Sequence, residues 1–457
     1  MCNVDLTLAT PAARIASHYI EAALMHPPPD IVAPPAAPDG IHGRIEVPPS
    51  KSLTQRAIVA AALAGGESEV RRPLDAEDPR LLVAALQAVG YRLEWRGDRI
   101  CALGRTPEAR ARLDLGNNGT GARFVLALLA ALPGEWVLDG GPRLRERPMA
   151  PLVEALRRIG ADIEPVESVS PGKAPRLPLR VRGRAFAGGK LHVDASASSQ
   201  FVSALLLLGA ALPGGLEVQL DAVPPSRPYV DLTADVLAAF GARVEARDGG
   251  RALTVTGGGL KPTAFTVEGD WSAAAFPFAA AAVAGGDVEV VALRRGSHQG
   301  DAAVLALLTA AGCRVRETAA GVALQGPVRT RLFADLRDMP DLFPALAVVV
   351  AIAGGRLEGL EGLAAKESDR LSVMARCLTS LGFAVEHGAG WLAAPGDMPP
   401  AVGAPVILDP AADHRIAMAL AVAGCVVPRV RVANPGCVAK SWPEFWRAWH
   451  HLVGGSK

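Results

Sequence analysis

Residues 199–214 read SQFVSALLLLGAALPG: a hydroxyl and amide cluster runs into an Ala- and Leu-rich stretch that stops on Gly214. The same pattern recurs at 52–65, 120–134, 272–285, 341–354 and 413–424, each copy opening on polar or charged groups and closing on glycine. Successive closing glycines stand 69, 80, 71, 69 and 70 residues apart. A second helical pattern keeps the same beat and ends at Gly90, Gly160, Gly241, Gly312, Gly382 and Gly454. A period of about seventy residues marks one supersecondary unit used six times.

The first helix of each unit is apolar on nearly every side, as in Phe201–Leu212 and Ala274–Ala284, which predicts burial. The second is amphipathic, as in Pro151–Ile159, and faces solvent on one side. Each unit reads as strand, helix, strand, strand, helix, strand. Three units with buried helices wrap into a bundle with helices inside, and two bundles facing each other point their helix N-termini at one cleft. Backbone N–H groups and the helix dipole make such termini anion sites, each worth roughly 0.3–1 kcal/mol. The expected ligand is strongly anionic, and there is room for two.

Composition narrows the class. The 457 residues carry a formal net charge of +1 with 20% charged residues, so no overall field favours nucleic acid or an anionic membrane. The six cysteines are scattered without zinc spacing, no HExxH occurs, and no apolar run reaches membrane-spanning length. Only seven of the 47 basic residues are Lys, yet Lys51, Lys366 and Lys440 all fall inside polar clusters. Arg is a planar fork and Lys a compact charge that can move a proton, so lysine is placed there for its chemistry. Residues 1–40 differ in composition. They are expected to form a flexible N-terminal extension ending in a Pro-rich linker, and they lack the basic start of a leader. The expected compartment is cytoplasmic.

The clusters themselves are specific. Ser50-Lys51-Ser52 opens the first helix with Arg56 one turn further on, without the Walker A spacing. Taken alone it can also be read as an N-cap serine among solvated charges, the weaker of the two readings. Gly116–Arg123 (GNNGTGAR) holds three glycines that let a ligand approach the backbone. Ser196–Gln200 and Ser226–Tyr229 offer hydroxyls and an amide suited to a polyol or phosphoryl group. After residue 269 come the titratable groups: Asp341, Lys366-Glu367-Ser368-Asp369-Arg370, Asp413-His414-Arg415 and Lys440. Carboxylates among cations can move protons while the cations hold anions, although structural ion pairs have the same look.

The ordered motifs SKSLTQR (50–56), GNNGTGAR (116–123), RERP (145–148), SSQF (198–201), SRPY (226–229), VEGDWSAAAF (267–276), KESDR (366–370), DHR (413–415) and CVAKS (437–441) together resemble the 5-enolpyruvylshikimate-3-phosphate synthases over about residues 41–450. The resemblance implies two inside-out α/β domains of three βαββαβ-type repeats each: a discontinuous domain of residues 41–49 plus 269–457, and an inserted domain of residues 50–268. It implies transfer of the enolpyruvyl group of phosphoenolpyruvate to the 5-hydroxyl of shikimate 3-phosphate by a monomer, with no metal or organic cofactor. No nucleic-acid or membrane partner is expected. Lys51, Gly119, Arg147, Gln200, Arg370, Arg415 and Lys440 then hold phosphoenolpyruvate. Ser52, Arg56, Ser198, Ser199, Gln200, Ser226, Tyr229, Asp341 and Lys366 hold shikimate 3-phosphate. The implied catalytic set is Asp341 as base, Glu367 as acid and base at the methylene carbon with its pKa raised toward neutrality, Lys440 as a competing donor, and Lys51.

Three departures from the family pattern stand out. Pro49 replaces a Gly, Phe124 replaces a common Pro, and Gly362-Leu363-Ala364-Ala365 lacks the family's Asn and Arg before KESDR. An Asn contact cannot be carried over to Gly362. The sister UDP-N-acetylglucosamine enolpyruvyl transferases would show a reactive Cys in a mobile loop near the middle of the domain that comes first in sequence, and no Cys lies between Cys101 and Cys313. A non-catalytic anion-binding paralogue is the other alternative, and Lys51, Asp341, Glu367 and Lys440 are all in place against it.

Overall fold

In the third unit the strand Gly189–Val193 runs parallel to Leu216–Leu220, with the helix Ser199–Ala211 crossing between them. The helix Pro228–Ala239 then leads into the hairpin Val244–Arg247 and Ala252–Val255, whose second strand pairs antiparallel with Leu216–Leu220. The order is therefore βαβαββ, which corrects the βαββαβ order expected from the sequence. Parallel neighbours need a crossover, which the buried helix supplies, whereas the antiparallel pair closes through a tight turn. The strand expected ahead of the outer helix in the first unit, at Asp75–Asp78, is instead a loop and the first turn of the helix Glu77–Ala88.

A computed structural model describes residues 30–167, 174–398 and 403–454. Among these, the units give five four-stranded sheets and one of three strands. Two sheets are completed from far along the chain: Ala264–Thr266 lies parallel to Ser68–Arg71, and Ile41–Glu46 lies parallel to Gly286–Val291. The chain thus passes twice between the halves, at 47–50 and 267–270. There Ser50 N–H donates to Glu268 O (2.8 Å) and Asp270 N–H to Pro48 O (2.9 Å). The buried Gln299 fastens this crossing, donating to Gly269 O at 2.8 Å and accepting from Trp271 N–H at 3.2 Å.

The three-stranded sheet corrects a second expectation. Ile31–Val32 pairs antiparallel with Val430–Ala433, Ala37 N–H donates to Cys425 O (2.9 Å), and Ala37 is buried. Residues 30–40, expected as linker, are instead an edge strand and its packed continuation. A strand of two residues at a sheet edge tolerates the neighbouring prolines. The rest of the expected extension, residues 1–29, lies outside the described residues.

Helices Lys51–Leu63, Gly119–Ala131 and Ser199–Ala211 pack on one another in one core, and Trp271–Ala284, Phe343–Ala353 and His414–Gly424 in a second. Their side chains are buried on all faces, as their composition requires; Leu205, Leu206 and Leu207 are wholly inaccessible. Each such leucine contributes about 1.5–3 kcal/mol of burial. The sheets lie outside, with one face inward: Leu216, Val218 and Leu220 are buried while Glu217 and Gln219 are half-exposed. Four of the second helices end on a Schellman turn. Gly241 takes φ 87°, its N–H meets Ala238 O, and Ala242 N–H reaches back to Leu237 O at 2.9 Å. The same reach-back recurs after Gly160, Gly312 and Gly382, which is why glycine marks the beat. No helix of the described residues is long and apolar enough to cross a membrane.

Candidate active site

The residues that open the buried helices serve as N-caps. Ser50, Asn118, Ser198, Asp270 and Asp413 each accept a backbone N–H of the first turn with a side-chain oxygen, and Asp341 sits in a 3-10 turn ahead of the fifth helix. These ends converge. Asp270 Oδ2 accepts Lys51 N–H at 3.1 Å, tying the first helix to the fourth. Lys440 Nζ donates to Asn117 O at 3.1 Å, a second tie between the lobes. The helix openings line a cleft of about 570 Å³.

Most of the expected residues meet there. Lys51, Ser52, Arg56, Arg147, Ser198, Ser199, Gln200, Ser226 and Tyr229 line one wall, and Asp341, Lys366, Glu367 and Arg415 the other. Arg370 is placed differently from a ligand contact. It is fully buried, and its guanidinium is taken up by Asp341 (2.8 Å), Glu367 (2.8 Å) and Asp413 (2.9 Å). Arg56 is buried as well, donating to Thr233 Oγ1 (2.8 Å) and Tyr229 O (3.0 Å), and burial lowers its pKa to about 10. Gly119 is small for a physical reason: a Cβ there would come within 2.8 Å of Arg123 Nη1 and closer still to Arg147.

Asp341 accepts from Tyr229 Oη (3.1 Å) and is gripped by Arg370, by Arg415 (2.9 Å) and more loosely by Lys366 (3.7 Å). Burial pushes its carboxyl up, but Arg415, Lys366 and Arg370 prevail and hold it well below the ordinary range. Glu367 behaves likewise. Burial raises it, while Arg370, Arg147 and Lys51 outweigh that and hold it well below the usual carboxylate range. The expected shift of Glu367 toward neutrality is therefore corrected: with no anion on the cations, its carboxylate is ionised. Lys440 loses by burial and gains more from Asp78 and Glu367, so its ammonium is held above the ordinary value.

Two features escaped the sequence reading. Asp78, buried at the start of the helix Glu77–Ala88, bridges Lys51 Nζ (3.1 Å) and Lys440 Nζ (3.3 Å), one lysine from each core. Acids are common in a first helical turn, so nothing local marks it. The second is Asp301, also buried, which accepts from Ser272 Oγ with one oxygen and leaves the other without a partner. Burial, reinforced by Asp341 against the pull of Arg415, raises its pKa to about 7. Because the folded value lies above the unfolded one, its stabilising contribution is complete below about pH 4 and is lost as the pH rises through about 7. Asp301→Asn will therefore gain on the wild type in melting temperature between pH 5 and pH 8. A difference independent of pH would contradict this assignment.

Arg147 faces the cleft with 8% of its surface exposed, and Arg123 beside it is buried. Neither Nε has a partner, and among the described residues neither guanidinium meets a carboxylate within 4.0 Å. Unpaired buried charges cost several kcal/mol, so this pair is built to be neutralised by an anion. No group of three or more metal-ligating side chains occurs among the described residues.

Six units in two lobes, helices inward and sheets outward, are the two-domain inside-out α/β fold, here with a cationic cleft suited to small polyanions. The family model for EPSP synthase (3-phosphoshikimate 1-carboxyvinyltransferase) matches residues 35–449. The 3-phosphoshikimate 1-carboxyvinyltransferase of Methanoculleus marisnigri is 39% identical over 409 residues, covering 88% of this chain and 94% of the relative. That of Syntrophobacter fumaroxidans is 39% identical over 422 residues, covering 90% and 97%. The solved EPSP synthase of Acinetobacter baumannii superposes with a TM-score of 0.71 at 27% identity, covering 92% of this chain and 97% of that one. The chain belongs to the EPSP synthase family.

Proposed function

We propose that this enzyme transfers the enolpyruvyl group of phosphoenolpyruvate to the 5-hydroxyl of shikimate 3-phosphate and releases phosphate. The observation that carries the reading is the unpaired Arg123–Arg147 pair facing the Glu367 carboxylate across the cleft. Phosphoenolpyruvate neutralises Arg147, Lys51, Arg415 and Lys440, with Gly119 and Gln200 shaping the pocket and Arg370 holding the carboxylates in place. Ser52, Arg56, Ser198, Ser199, Gln200, Ser226, Tyr229 and Lys366 take shikimate 3-phosphate, its phosphate lying on the hydroxyls and the lysine. The domains, 41–49 plus 269–457 and 50–268, close over it about the paired crossings.

Chemistry then runs by addition and elimination. A proton is delivered to the phosphoenolpyruvate methylene, and the neighbouring carbon takes on cationic character. The 5-hydroxyl attacks that carbon as Asp341 takes its proton, which gives a tetrahedral adduct. Phosphate leaves as a methyl proton is withdrawn, restoring the double bond. Glu367 suits the methylene proton better than Lys440, whose raised pKa makes it the poorer acid. Glu367 gains its proton when the phosphate and carboxylate of the substrate cancel the charges of Arg147 and Lys51 that depress it. A phosphate-release assay with both substrates tests the reading, with UDP-N-acetylglucosamine as the comparison acceptor. Release only with shikimate 3-phosphate is expected; release only with the nucleotide sugar, or none, would overturn it.

A further inference from the structure

We propose that Arg143 is a positioning residue that fastens the two lobes across the cleft and holds Lys366 and Glu367 in register. Arg143 belongs to the short helix Pro142–Glu146, whose place in the first lobe is fixed three ways. Leu144 is fully buried, Gly141 N–H donates to Gly116 O at 2.7 Å, and Arg145 pairs with Asp139 at 2.8 Å. From this base the Arg143 guanidinium reaches into the other lobe. Nε donates to Lys366 O at 3.1 Å and Nη2 to Ala364 O at 2.6 Å, while Nη1 keeps a partner at home, Glu146, at 2.8 Å.

The two carbonyls lie at the end of the 3-10 turn Glu361–Ala365, where outward carbonyls gather partial negative charge and need donors. The turn is anchored below by Leu363, which is fully buried, and the segment after it by Arg370 on Glu367. Lys366 and Glu367 therefore stand between two guanidinium clamps, one from their own lobe and one from the lobe opposite. The element that carries Arg143 ends at Arg147, so a single pinned turn sets the distance between the unpaired cation and the Glu367 carboxylate. A fork on two carbonyls fixes orientation in a way a lysine cannot. The bonds exist only when the lobes meet, so their energy is spent on the closed, reacting state and not on first capture of a substrate.

The inference rests on the proposed transferase reaction, and the test keeps the two apart. Steady-state phosphate release is measured for wild type, Arg143→Ala and Arg143→Lys, alongside hydrogen exchange of residues 361–367 with shikimate 3-phosphate bound. Expected for Arg143→Ala are a kcat lower by about 10–100-fold and a KM for shikimate 3-phosphate within about threefold of wild type. The melting temperature should stay within about 2 °C of wild type, because the side chain is 31% exposed. Exchange over 361–367 should quicken, and Arg143→Lys should recover part of the loss. An active wild type whose Arg143→Ala variant keeps kcat within about twofold, or keeps the 361–367 exchange unchanged, overturns the latch. An inactive wild type overturns the transferase reading instead.

Discussion

Glu367→Gln will slow phosphate release by about 10²–10⁴-fold, the usual worth of a placed general acid and base. The side chain keeps its shape and can still accept from Arg370 Nη2, which Glu367 now binds at 2.8 Å, so the fold is expected to stand. What disappears is a group able to take up and return a proton beside the methylene carbon. The same variant isolates a second effect. In the wild type Arg370, Arg147 and Lys51 hold the Glu367 carboxyl well below its usual range against the push of burial. Anionic phosphoenolpyruvate offsets the share of that potential that comes from Arg147 and Lys51, so the carboxyl rises as the substrate binds. Calorimetry at pH 7 in buffers of different ionisation enthalpy should show more proton uptake for wild type than for Glu367→Gln. Equal uptake would leave Glu367 out of the proton inventory, and a kcat within tenfold of wild type would remove it from the chemistry.

Arg370→Met will have the largest effect on stability, about 3–5 kcal/mol at pH 8. Arg370 is fully buried and is shared by Asp341, Glu367 and Asp413, so its removal leaves three carboxylates facing one another without the guanidinium that joins them. The loss depends on pH in a stated direction. In the wild type Asp341 and Glu367 have depressed pKa values, so their stabilising contribution is present above the unfolded values near 4 and is lost as the pH falls through the folded ones. In the variant the same carboxyls are raised and take up protons as the solution is acidified. The gap between the two proteins in urea midpoint should therefore narrow from pH 8 to pH 5. A gap that is constant, or that widens on acidification, would show that Arg370 acts through packing alone.

How much of this was legible in the chain follows from which interactions are local. The glycine beat was readable because a Schellman turn demands a left-handed residue at one fixed place after four of the outer helices, as at Gly241 and Gly382. The helix openings were readable because the same polar side chains cap the N-terminus and face the cleft, as with Ser198 and Asp413. The strand order within a unit was not: Asp75–Asp78 is loop and first helical turn where a strand was expected, and two strands, Val244–Arg247 and Ala252–Val255, follow the outer helix where one was expected. The Ile31–Val32 edge strand was hidden by its prolines. Asp78 was missed because its significance is entirely tertiary: Glu77-Asp78 looks like any acidic first turn until Lys51 and Lys440 arrive from two different cores. The state of Glu367 was misjudged for the same reason. Its chain neighbours Lys366 and Arg370 could be seen, whereas Arg147 and Lys51 reach it only in the folded protein.

The most direct measurement of the proposed addition and elimination is a proton NMR spectrum of the reaction run in D₂O with shikimate 3-phosphate and phosphoenolpyruvate. A methyl stage between the two double bonds predicts a new enol ether on the 5-oxygen whose vinyl signals lose intensity to deuterium as turnover proceeds, with Glu367→Gln forming it far more slowly. A product whose methylene keeps its full protium complement would contradict protonation at that carbon, and the absence of any enol ether would contradict the transfer itself.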